Sequence, residues 1–261
     1  MTARRSRHPN ISGSVEPGFE RVREAFAGNF SDGPEVGAAF AAYVDGRKVV
    51  DLWGGEARPG VPWRDDTLGV LWSATKGVTA LCVQVLADRR ELDLDVPVAG
   101  YWPEFAAAGK EAVTTRHVLT HTAGLPTWDG YRELVTLADP AGWGRTEAIA
   151  AALAAAPPLW APGRRLGYHA FTFGWLLGEI VRRITGDTLG AWFRANVAAP
   201  LGLDLWIGLP AEHHHRVADL LPALPADPAL ALLIAATTRP DALTGRALLV
   251  DEHGGVDRAA S

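Results

Sequence analysis

The sequence predicts an α+β protein, with an antiparallel strand pair near the start and a mainly helical body after it. Three observations predict this. Asp45-Gly46 separates two extended apolar runs, residues 37–43 and 48–53, and Asp-Gly between such runs is a strong hairpin signal. After Lys76, the residues Val78, Leu81, Cys82, Val85 and Leu86 recur at helical spacing until Asp88-Arg89-Arg90. Later, Phe173, Leu176, Leu177, Ile180, Val181 and Ile184 form a second helical stripe, and Gly186 is suited to end it.

Taken in order, residues 1–15 are polar and read as a loose arm. Phe19, Val22, Arg23 and Phe26 lie at helical spacing, with Gly28 as a stop. The hairpin follows, closed by Gly54-Gly55, and residues 56–68 read as loop. The helix after Ser73 runs to about Asp88, and residues 92–98 and 101–105 are connections. Residues 115–120 form a short helix capped by Thr114 or Thr115 and broken at Gly124-Leu125-Pro126. An alanine-rich helix, residues 146–155, stops at Pro157-Pro158, and Thr172 reads as the cap of the striped helix. Residues 189–197 give one more helix before Pro200. Past Pro210 the pattern fades, and Pro222, Pro225 and Pro228 mark a loop. The hairpin is the only strand pair in view, and two strands alone make a marginal sheet, so it calls for further strands.

A chain of 261 residues and 27.8 kDa can bury a sizeable core. Its net charge of −5 and lack of a basic stripe argue against nucleic acid as a partner. The single cysteine, Cys82, excludes an intrachain disulfide and reads as a small core residue. No segment of transmembrane length is free of charge or proline, and no apolar run follows Arg4-Arg5, so the chain reads as cytoplasmic with no membrane contact. His213-His214-His215 lacks an acidic or cysteine partner at ligand spacing, so no metal and no cofactor is expected.

The chemistry centres on Ser73 and Lys76. Residues three apart at a helix start share a face, roughly 4.5 Å apart along the axis. A serine hydroxyl is a poor nucleophile until a base takes its proton, and a lysine amine within reach can do so. Unpaired N–H groups at the helix start favour an oxyanion there. Spacing alone equally fits a capping serine and a solvated first-turn lysine.

Four stretches extend the pattern. Leu71-Trp72-Ser73-Ala74-Thr75-Lys76 resembles the Ser-x-x-Lys motif of the serine β-lactamase and penicillin-binding-protein-like hydrolases, and Leu92-Asp93-Leu94-Asp95-Val96-Pro97-Val98 is similar to their next segment. Residues 117–126, containing His121, look like their Leu-Leu-Thr-His-Thr-Ser-Gly-Leu-Pro turn, and residues 162–169 resemble the stretch that delivers a catalytic tyrosine. The resemblance is to the esterase branch called family VIII carboxylesterases. It implies a β-lactamase/transpeptidase-like fold: an antiparallel sheet flanked by helices, plus an all-helical subdomain. It divides the chain into an arm (1–15) and an incomplete domain (16–261), with the hairpin part at 16–75, a helical region at about 76–210 and an irregular tail at 211–261.

The resemblance implies acyl transfer on Ser73, with Lys76 and Tyr168 as general base and acid and the Ser73 backbone N–H as half of an oxyanion hole. Tyr168 follows a Pro-Gly turn, a loop position able to enter a cleft, and its phenol needs an adjacent cation such as Lys76 to serve as a base. His121 sits in a turn that reads as structural. His169 and Trp72 are expected to contact the substrate, a small carboxylic ester. Where lactamases of this superfamily carry Tyr-x-Asn, the chain has Tyr168-His169-Ala170, which leans toward simple esters. The family's remaining strands and third motif are expected to be missing beyond Ser261; His253-Gly254-Gly255 echoes that motif without a core-strand setting. The unpaired sheet edge is then expected to promote self-association. The alternatives are a non-catalytic truncated relative and a β-lactamase or D,D-peptidase.

Overall fold

The computed structural model describes residues 10–31, 33, 35–136, 139–221, 232, 234–235, 237 and 239–250. These residues fall into two compact units. The first runs to Leu71 and takes up the chain again at residues 209–221; the second runs from Trp72 to Gly208 and includes the described residues from 232 onward.

The first unit contains β1 (Ile11–Val15), α1 (Glu20–Ser31), β2 (Gly37–Val44), β3 (Arg47–Arg58) and β4 (Val61–Pro62). β3 is the centre: β1 and β2 pair antiparallel on its two sides, and β4 folds back on its end. The hairpin turns on Asp45 and Gly46 at φ 50° and 75°, the left-handed pair that a type I′ turn requires. Val50 lies opposite Ala42 and Val15, and Gly54 opposite Ala38 and Ile11, so these residues share a face. Phe26 of α1 buries with Val49, Val50 and Leu52, flanked by Phe19, Val22 and Phe30.

Three expectations are corrected here. Residues 11–15, assigned to a loose arm, form β1, and the hairpin is therefore not the only strand pair; residues 1–9 lie outside the described residues. Ser12 and Ser14 face away from the α1 side and Gly13 breaks the pattern, yet a Cβ at Gly13 would stand 1.9 Å from the Asp51 carbonyl oxygen. Glycine is what lets β1 come close. β3 continues past Gly54-Gly55 because Ile11 and Gly37 pair with them, and β4 falls within the expected loop. The irregular tail also has structure: Val217 bridges Leu68, and Asp219 N–H donates to Ala57 at 2.8 Å.

The second unit contains α2 (Thr75–Asp88), α3 (Thr115–Leu119), α4 (Tyr131–Leu134), α5 (Thr146–Ala155), α6 (Thr172–Thr185) and α7 (Leu189–Phe193). A π turn, Arg194–Ala198, extends α7 over most of the expected helix. α6 is the hub, packed against α2, α3, α5 and α7, with Leu176, Leu177, Ile180 and Val181 fully buried. Each such side chain contributes roughly 1.5–3 kcal/mol by leaving water. Thr114 caps α3 in a reciprocal box with His117. Thr172 is not the cap of α6: it is the first helical residue, and its hydroxyl donates to the Leu125 carbonyl at 2.7 Å.

Lys110 is sealed inside this unit, its ammonium donating to the carbonyls of Ala107, Ala154 and Ala156, at the C-terminal end of α5. Burial lowers its pKa to about 8, which leaves it charged at neutral pH, where helix-end carbonyls suit a cation. Past residue 238 the expected tail is again ordered. A last short helix, Leu243–Ala247, precedes the buried Leu249 and Val250, and Tyr131 donates to the Val250 carbonyl at 2.7 Å. Pro222, Pro225, Pro228 and His253-Gly254-Gly255 lie outside the described residues. Among the described residues no helix is long and apolar enough to cross a membrane.

Candidate active site

Ser73 lies in a single 3-10 turn, Trp72–Ala74, that runs directly into α2. Trp72 before it has φ 47°, a left-handed conformation that costs a tryptophan on the order of 1 kcal/mol. The chain thus turns sharply at Ser73 and leaves it exposed at the start of α2. Lys76, in the first turn of α2, places Nζ 3.2 Å from Ser73 Oγ, the spacing that one helical turn dictates.

Tyr168 reaches the same point from the loop before α6. The Lys76 ammonium lies 4.9 Å from the centroid of its ring and 5.9 Å from that of Phe173. Partial burial pulls the Tyr168 phenol upward, but hydrogen bonding with Ser73 and Lys76 and the lysine charge outweigh it and hold the pKa below 10.0. Ser73, Lys76 and Tyr168 are therefore brought together. A serine hydroxyl, a lysine nitrogen and a phenol eased toward phenolate share one hydrogen-bonding cluster.

The other two expected site residues part company. Trp72 stays beside Ser73 and is 63% exposed. His169 does not line a cleft, and this expectation is corrected: the residue is 0% exposed and both ring nitrogens are engaged by backbone. Nε2 accepts from Leu125 N–H at 3.1 Å, so the neutral ring carries its proton on Nδ1 and donates to the Gly167 carbonyl at 2.6 Å. Burial lowers its pKa to about 4. Phe173 is a site neighbour that periodicity assigned only to the core. Its place in the α6 stripe hides its contact with Lys76, and no local signal marks it. Among the described residues no group of three or more His, Cys, Asp or Glu side chains could hold a metal ion.

Residues 26–248 match the Beta-lactamase family model. The chain belongs to the Beta-lactamase family. Within that family it is 41% identical over 218 residues to Esterase/beta-lactamase LipL of Mycobacterium tuberculosis, covering 81% of this chain and 48% of LipL. A penicillin-binding protein homologue from Caulobacter crescentus superposes with a TM-score of 0.76 at 40% identity, over 92% of this chain and 75% of that one. A family VIII carboxylesterase superposes with a TM-score of 0.75 at 48% identity, over 82% of this chain and 58% of that one. The chain spans about half the length, or less, of the curated relatives it matches. The family read from the four motifs is the one these comparisons find, and the fold is of the β-lactamase/transpeptidase type.

Proposed function

We propose that the chain is a serine hydrolase that cleaves small carboxylic esters through an acyl-enzyme on Ser73. The observation that carries this reading is the 3.2 Å approach of Lys76 Nζ to Ser73 Oγ beneath the ring of Tyr168. Ser73 Oγ attacks the ester carbonyl carbon as its proton passes to the Lys76–Tyr168 pair. The oxyanion accepts a hydrogen bond from Ser73 N–H, and the C–O bond to the alcohol breaks as Tyr168 returns the proton to the leaving alkoxide. Water, deprotonated by the same pair, then attacks the acyl carbon and frees the acid and Ser73. The reading includes a cytoplasmic setting, supported by the single buried cysteine, and needs no cofactor.

Hydrolysis of p-nitrophenyl butyrate, its near-complete loss in Ser73→Ala, and one phosphonate adduct mapping to Ser73 are the expected results. An adduct on another serine, or an active alanine variant, overturns the reading. The double name of LipL favours one second reading, a lactam-opening enzyme. A chromogenic cephalosporin tests it, and Ala170, which offers no side-chain amide to an acylamide group, favours the ester.

A further inference from the structure

His121 follows α3 with a left-handed backbone, φ 59°, and grips the loop on both sides of Tyr168. Its carbonyl accepts from Gly167 N–H at 2.9 Å, and its Nδ1 accepts from His169 N–H at 3.0 Å. Its ring stands 4.8 Å from the Tyr168 ring and 5.1 Å from that of Phe173. The structure assigns His121 as the positioning residue of Tyr168: its backbone carbonyl holds Gly167, its neutral imidazole holds His169, and protonation of Nδ1 opens the imidazole half of this clamp.

Hydrogen-bond capacity sets the protonation state of the ring. A ring nitrogen that accepts a backbone N–H must be unprotonated, so the bond to His169 exists only in the tautomer with its proton on Nε2. The titratable groups around the ring are Lys76 on α2 and Tyr168 and His169 on the loop; α6 presents the uncharged Phe173. Burial first, then the Lys76 charge, hold His121 below its ordinary 6.5, so the clamp stays closed at neutral pH. His169 adds a second tie, from Gly167 to Leu125, which leaves Tyr168 between two fixed neighbours. That the positioned phenol matters for turnover rests on the proposed acid–base role of Tyr168.

Two variants of the full chain test the clamp. His121→Asn sets an amide oxygen near the place of Nδ1, tolerates the left-handed backbone and does not titrate. His121→Phe keeps a ring against Tyr168 and removes the acceptor. With [13Cζ]tyrosine, the four tyrosines are resolved by NMR and Tyr168 is identified by its loss in Tyr168→Phe. The wild-type Tyr168 resonance is expected to titrate below 10.0 and to show a second, smaller inflection below pH 6.5, where His121 gains its proton. His121→Asn is expected to keep the first and lose the second; His121→Phe moves the first back up. Turnover of p-nitrophenyl butyrate should fall about 10–100-fold in kcat in His121→Phe, with KM nearly unchanged, and stay within about threefold in His121→Asn. An unchanged Tyr168 titration in a folded His121→Phe overturns the inference. So does a low-pH inflection that persists at the parent's midpoint in His121→Asn, as distinct from one near the pKa of about 4 of His169, and this decides the matter if the phenylalanine variant does not fold. Wild-type turnover in Tyr168→Phe overturns the acid–base reading instead and leaves the NMR result to judge the clamp.

Discussion

Arginine at position 76 would keep a positive charge beside Ser73 and Tyr168 yet hold its proton too firmly to act as a base. Lys76→Arg is therefore expected to lose p-nitrophenyl butyrate turnover almost as fully as Lys76→Ala, and parental turnover in the arginine variant would reduce Lys76 to an electrostatic role. Tyr168→Phe removes one hydroxyl and is expected to cost on the order of 10²–10⁴ in rate. His169 makes a different prediction, about stability. Its folded pKa of about 4 lies below the 6.5 of an unperturbed histidine, so the unfolded chain binds the proton first. The resulting contribution, on the order of 3 kcal/mol, is complete above pH 6.5 and drains away as pH falls toward 4. The melting temperature should drop less between pH 7.5 and 4.5 in His169→Gln than in the parent; equal drops would refute the linkage. That Ser73, Lys76 and Tyr168 meet could be read from the chain, because each stands in a recognisable local setting. The burial of His169 could not, since its partner Leu125 is 44 residues away in sequence.

The helices were legible wherever one apolar stripe meets one core. α6 is the clearest case, and Leu177→Ala there should lower stability by about 2–5 kcal/mol in chemical denaturation. β1 was not legible, because its sequence Ile-Ser-Gly-Ser-Val offers only two apolar residues and a central glycine. The glycine is required by a neighbour found only in the folded chain, the Asp51 carbonyl. Gly13→Ala places a methyl group against that oxygen at φ 94° and should cost about 2 kcal/mol or more, seen as a lower melting temperature. A neutral alanine variant would mean that β1 does not hold to β3 in solution. Thr172 teaches the same lesson on a smaller scale. A threonine at a helix start resembles a cap until Leu125 claims its hydroxyl.

At the scale of the whole chain, β2 stands out. Its eight residues carry no charge and no proline, Phe40, Tyr43 and Val44 are exposed, and its outer edge has no partner strand among the described residues. Such an edge invites a second copy, so the chain is expected to elute from size exclusion above its 27.8 kDa monomer mass. Ala39→Lys with Ala41→Lys should return it to the monomer. A parent that elutes as a monomer with a sharp melting transition would show that β2 is shielded in solution.

The sealed Lys110 has a practical consequence. The chain holds only three lysines: Lys48 paired with Asp51 at the surface, Lys76 in the cluster with Ser73, and Lys110 with no exposure at all. A reagent that acylates free amines can meet the first two while the protein stays native. It reaches Lys110 only when the second unit opens. The mass gained with time by the peptide that carries this residue is therefore a stopwatch on the lifetime of the folded state, running without any label having been engineered into the chain.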